Sequence, residues 1–138
     1  MVCKTISIQT NQHQELIDIT SEIDAEIKSE GIKEGYCIVF VPHTTAAVTI
    51  NECADPDVKE DMVNMLSSLI PKHGSYKHSE GNSDAHIKAS LLGSSEYILI
   101  KNGGLLLGTW QHVYFFEVDG PRKRSFYLRI IGEQGDKL

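Results

Sequence analysis

No apolar run in this chain approaches the ~20 residues needed to cross a bilayer. No positively charged segment followed by an apolar one opens it, so the reading expects neither a membrane span nor a secretory signal, and a cytoplasmic protein. Cysteine is scarce. Cys3, Cys37 and Cys53 are odd in number and widely spaced, without a Cys-x-x-Cys pair that would make a redox motif or half of a zinc ribbon. A reducing compartment fits, with each thiol acting as a small buried hydrophobe or an inert strand residue. Positive charge is in deficit: the net charge is -6 and no face-wide cluster of Lys and Arg opposes it, which argues against a grip on nucleic-acid phosphates. Repeats, low-complexity segments and linkers are missing as well, which leaves no boundary at which to divide the chain.

What remains is ordinary globular composition, 41% apolar and 23% charged over 138 residues, read as one domain spanning residues 1–138. Cys3 to Thr10 alternates at period two, as a half-buried strand does. From Asp18 the period lengthens to Ile19, Ile23 and Ile27 and stops at Gly31, which describes an amphipathic helix. Tyr36 to Val41 and Ala46 to Ile50 read as strands around a polar corner, Pro42-His43-Thr44-Thr45. Asp55-Pro56 opens a second helix that runs to Pro71 through Val58, Met62, Met65, Leu66 and Leu69. A long polar stretch follows, and Asp84 is then expected to cap a short helix ended by Gly93. Tyr97 to Ile100, Leu105 to Leu107, His112 to Val118 and Ser125 to Ile131 read as strands joined by Gly-rich turns. The fold class is α+β, mainly antiparallel sheet or sandwich packed with about three helices.

The chemistry concentrates in a few polar segments. In His78-Ser79-Glu80-Gly81-Asn82-Ser83-Asp84-Ala85-His86, alternate residues can bind a metal, a proton or a phosphate ester. An extended segment points these to one side, and a helix starting near Asp84 turns His86 back towards them. Imidazole suits zinc, whereas Asp, Glu and Asn oxygens suit magnesium, so the mixture leaves the divalent metal open. Glu80 and Asn82 also read as turn residues around Gly81. His43 ends an apolar strand, and Thr44 and Thr45 beside backbone amides at a turn are phosphate ligands in one reading and plain strand residues in the other. His13, His73 and His112 are assigned surface or packing roles. Asn102 to Gln111 joins flexible glycines to Thr109, Gln111 and Trp110. No Gly-Lys-Ser/Thr follows, so this is not a P-loop, and Trp110 is expected in the core. Asp119-Gly120-Pro121-Arg122-Lys123-Arg124 reads as a turn whose cations are able to hold a phosphate.

His43-Thr44-Thr45-Ala46, Asn51-Glu52 with Asp55-Pro56-Asp57, the His78 to His86 segment, Leu107-Gly108-Thr109-Trp110-Gln111 and Gly120-Pro121-Arg122 resemble the YjbQ-like family over nearly the whole chain. The resemblance implies a compact α+β fold, a homotrimer and a His-rich pocket for a divalent metal, zinc or magnesium. It implies His43, His78 and His86 as metal ligands, with Glu80 and His86 catalytic. Thr44, Thr45, Asn82, Thr109, Gln111 and Arg122 then bind a phosphorylated small-molecule substrate. It further implies a secondary thiamine-phosphate synthase activity, in which hydroxymethylpyrimidine diphosphate and thiazole phosphate are joined with release of pyrophosphate. The alternatives are a zinc-dependent hydrolase of small phosphorylated or amide substrates, with Glu80 deprotonating the zinc-bound water, and a non-enzymatic trimer that binds a metal or metabolite.

Overall fold

The computed structural model describes residues 3–135. In chain order the elements are β1 (Lys4–Gln9), β2 (Glu15–Asp18), α1 (Thr20–Glu30), β3 (Ile32–Phe40), β4 (Ala46–Glu52), α2 (Pro56–Leu69), α3 (Ser83–Leu92), β5 (Ser95–Lys101), β6 (Gly104–Leu105), β7 (Gln111–Glu117) and β8 (Lys123–Gln134). One sheet has the order β1-β8-β3-β5-β6 and the other β2-β7-β4. All pairings in both sheets are antiparallel. This is the α+β architecture that the sequence pattern implies.

Period-two alternation turns Cys37, Val39, Ile98, Ile100, Phe126, Leu128 and Ile130 of the larger sheet inward. They meet Val48, Val113 and Phe115 of the smaller sheet and Ile19, Ile23 and Ile27 along α1. Each of these side chains is worth roughly 1.5–3 kcal/mol for its burial. The far face of the smaller sheet carries Ala47, Phe116 and Val118, covered by Ala85 and Ala89 of α3, with Val63 and Leu66 of α2 packed alongside. β7 is therefore buried on both faces, which explains the unbroken apolar run from Val113 to Phe116. α1 ends where Gly31 adopts φ 67°, a left-handed turn that costs glycine little.

Three local expectations need correction. The residue preceding α3 is Asn82, whereas Asp84 lies inside the first turn on the buried face with Ala85 and Ala89. Its carboxylate is taken by Lys88 Nζ at 3.0 Å, one turn on, so it does not cap the helix. Trp110 is 63% exposed in the turn before β7 instead of lying in the core. β2 was not anticipated, because four residues give too little alternation to register.

Candidate functional site

β3 gives way at Val41 to the polar corner, and Val41 N–H donates to Ser94 O at 2.8 Å. The corner is thereby held against the chain that leaves α3. His43 stands edge-on to Phe115 with ring centroids 6.5 Å apart. Its Nε2 lies 3.1 Å from both the backbone nitrogen and the backbone oxygen of Ser125. Burial and the neighbouring Arg124 charge hold the imidazole below its usual pKa, favouring the neutral ring.

Thr44 is exposed and Thr45 is turned inward. Arg124 Nη2 donates to the Thr45 carbonyl at 3.0 Å and to its hydroxyl at 2.8 Å. The same guanidinium grips Glu117, with Nε 2.9 Å from Oε1 and Nη2 2.5 Å from Oε2. Thr10 donates its hydroxyl to Glu117 Oε1 at 2.8 Å. Arg124 is 6% exposed and Glu117 fully buried, so Arg124 braces the corner from behind with its Nε and Nη2 committed to Glu117 and Thr45.

His86, in the first turn of α3, joins two depressions. One, of about 390 Å³, is lined by His43, Thr44, Ala46, His86, Ala89, Ser90, Gly93 and Ser94. The other, of about 520 Å³, is lined by Ser75, Tyr76, Lys77, His78, Ser83, His86 and Ile87. The His78 and His86 rings meet edge to face with centroids 5.4 Å apart. Glu80 Oε2 lies 3.9 Å from His78 Nε2 and is largely exposed. A larger, mostly apolar groove of about 880 Å³ runs along α2, away from the imidazoles. We place the site at His86, because titratable groups able to do chemistry converge there and not in the groove.

Asn82 Nδ2 donates to Asp119 Oδ2 at 2.9 Å, and Arg122 Nη2 meets the same oxygen at 3.0 Å. One carboxylate thus ties the start of α3 to the turn before β8, and Asn82 Oδ1 is left buried without a partner. Arg122 keeps half its surface free beside the site. Thr109 and Gln111 lie elsewhere. Gln111 pairs with Glu52 at one end of β7 and β4, while Glu117 pairs with Ala46 at the other. At ~3.4 Å per residue those ends are about 20 Å apart. Gln111 Oε1 instead accepts the Gly108 N–H at 2.8 Å. His112, expected outside the pocket, pairs with Asp18 at 2.5 Å.

One chain therefore brings His78 to His86 and sets His43 across the smaller depression. Among the described residues, no three His, Cys, Asp or Glu side chains gather closely enough to hold a metal. The imidazole pair is one donor short of the three protein ligands of a catalytic zinc. Glu117, Arg124, Lys88 and Asp119, which organise the surroundings, were not foreseen in these roles. Arg124 carried a readable signal, since it shares the inward period of Phe126, Leu128 and Ile130.

The family described as "UPF0047 protein YjbQ-like" matches residues 4–133. UPF0047 protein MJ1081 of Methanocaldococcus jannaschii is 56% identical over 127 residues, covering 92% of each chain. UPF0047 protein YugU of Bacillus subtilis is 47% identical, over 94% of this chain and 98% of its own. Among solved structures, an uncharacterized YjbQ/UPF0047 family protein of Clostridium acetobutylicum superposes with TM-score 0.91 at 52% identity, covering 93% of this chain and 99% of that one. Hypothetical protein APE1520 of Aeropyrum pernix gives TM-score 0.91 at 36% identity, over 96% and 100%.

Proposed function

The chain belongs to the YjbQ-like UPF0047 family, and from that premise we propose that the two depressions around His86 form one site that binds and transforms a phosphorylated small molecule. The observation that carries this reading is the position of His86, which walls both depressions and faces His43 in one and His78 in the other. Two adjoining subsites suit a reaction that joins two substrates. The activity proposed is thiamine-phosphate synthesis, the joining of hydroxymethylpyrimidine diphosphate to thiazole phosphate with loss of pyrophosphate. Its main demand is stabilisation of charge on the departing pyrophosphate. Arg122, half free beside Asn82, and the imidazole donors supply that locally. Glu80, next to His78, and His86 are the groups placed to move protons.

The residues of one chain do not make a three-ligand metal centre. A divalent cation would be held by His78 and His86 together with oxygens of the diphosphate, and the chemistry it would supply is compensation of the leaving group's charge. A homotrimer is part of the same reading. It is supported by the outer face of the larger sheet, where Tyr36, Phe40, Tyr97, Leu99 and Tyr127 are 37–71% exposed, an apolar surface suited to a second copy. Light scattering checks it: a trimer mass is expected, and a monomer mass at micromolar concentration rejects it.

Supplying both phosphorylated substrates with magnesium, manganese or zinc and following thiamine phosphate by mass spectrometry tests the activity. Turnover that falls at least a hundredfold in His86→Ala supports it. Binding of both substrates without product rejects synthesis in favour of a binding protein. Substrate hydrolysis without coupling favours the hydrolase.

A further inference from the structure

The register of β3 against β8 singles out one nitrogen of His43. Phe40 pairs with Tyr127, and continuing that register by two residues sets Pro42 opposite Ser125. Proline has no N–H to give the Ser125 carbonyl. β3 has ended here, and the neighbouring Val41 N–H has gone to Ser94 O. At alternate positions an antiparallel pair exchanges both backbone bonds between opposed residues, and Ser125, whose N–H points to the β3 side, is at such a position, so the failure of this pair leaves its N–H and C=O without strand partners there. The His43 ring fills the gap: Nε2 lies 3.1 Å from both atoms. A neutral Nε2 accepts from the Ser125 N–H, and a protonated one donates to the Ser125 carbonyl. In each protonation state Nε2 is engaged by the same residue.

The other nitrogen is differently placed. Among the described residues Nδ1 has no protein partner, and it is not one of the fully buried side-chain atoms left without one, a group that holds Asn82 Oδ1 alone. Nδ1 therefore keeps some exposed surface, on a residue that lines the smaller depression together with Thr44, Ser90 and Ser94. A histidine anchored through Nε2 to backbone has its tautomer and ring orientation set by that bond. With the Ser125 N–H donating, the neutral ring carries its proton on Nδ1.

We infer that His43 meets the phosphorylated ligand through Nδ1, as a hydrogen-bond donor to a phosphate oxygen, with Ser125 as the backbone residue that positions it. This rests on the pocket reading above and adds the atom and its role. It also separates His43 from the His78 and His86 pair: His43 is an anion contact set apart from that pair.

The test uses the full chain and inorganic pyrophosphate with magnesium as the probe. Asparagine places an amide where Nδ1 stands, and glutamine places one where Nε2 stands. Calorimetry is expected to show pyrophosphate bound at least fivefold more tightly by His43→Asn than by His43→Gln, with His43→Gln weakened about tenfold from the parent, the loss of one charge-assisted hydrogen bond. The reverse order overturns the inference and leaves the pocket reading intact. No binding by the parent overturns both. A second measurement needs no substitution. In the ligand-free protein above the His43 pKa, a nitrogen–nitrogen coupling across the hydrogen bond is expected between the Ser125 amide and His43 Nε2, and pyrophosphate should then shift Nδ1. Absence of that coupling, or a shift confined to Nε2, overturns the inference.

Discussion

Replacing Arg124 by methionine removes the guanidinium and keeps most of the side-chain volume. Glu117 is then left fully buried with the Thr10 hydroxyl and, more distantly at 3.3 Å, the Asp119 N–H. Removing one partner of a buried ion pair costs about 3–5 kcal/mol. For a chain of 138 residues that corresponds to a Tm lower by on the order of 10–20 °C. The sign of the pH dependence is the sharper test. In the parent, burial pushes the Glu117 carboxyl up, but the hydrogen bonds from Arg124 and Thr10 and the guanidinium charge outweigh it and hold the group below its usual pKa of 4.5. A depressed carboxylate contributes stability that is present above the unfolded pKa and lost as pH falls through the folded one. Without Arg124, burial dominates, the folded pKa rises above the unfolded value, and the contribution of Glu117 favours the folded state at acid pH and fades as pH rises. Urea unfolding between about pH 4 and 7 should therefore show Arg124→Met losing less relative to the parent at the acid end. A ΔΔG that is constant across the range, or below ~1 kcal/mol throughout, would falsify the claim that this pair is buried and charged. The double change Arg124→Met with Glu117→Leu should recover most of the loss, because no uncompensated charge is left behind.

Two further outcomes follow from buried groups elsewhere in the chain. Burial, with a smaller push from Asp24, raises the Cys37 thiol to about 12, so native alkylation read by mass spectrometry should label exposed Cys3 and leave Cys37 unmodified until the protein unfolds. Lys88→Met strands Asp84 in the layer between α3 and β4 and is expected to cost about 3–5 kcal/mol by denaturant unfolding, whereas an effect under ~1 kcal/mol would remove the buried pair from the account.

Much of the fold was legible because its elements repeat a simple period. Ile19, Ile23 and Ile27 announced α1, and Asp55-Pro56 announced α2, where Asp55 accepts the Asp57 N–H at 2.9 Å. Period alone says which face is apolar, not what an isolated charge on that face will meet. Asp84 looked like a cap because it preceded a helical pattern, yet Lys88 four residues on shares its buried side with Ala85 and Ala89. Glu117 was hidden in the opposite way, as the last residue of a run buried on both faces, where alternation gives no direction.

The candidate site shows where reading along a chain fails for a different reason. His78 and His86 meet because the chain turns at Ser79 to Gly81 and enters α3 at Ser83, where an extended segment was expected, and this turn brings rings eight residues apart together. His43 reaches the adjoining depression, which His86 also lines, through pairing: the corner after β3 docks on the chain that follows α3, and Ser125 of β8 captures its ring. Thr109 and Gln111 share the polar, glycine-rich character of a binding loop, but the β4–β7 register sets Gln111 at the opposite end of the small sheet, about 20 Å from the Ala46 end that the His43 corner leads into. Composition nominates residues, and register determines which of them share a cavity. For Gln111 to touch a ligand held at His86, a second copy would have to supply it, so the trimer proposed above and a role for Gln111 stand or fall together.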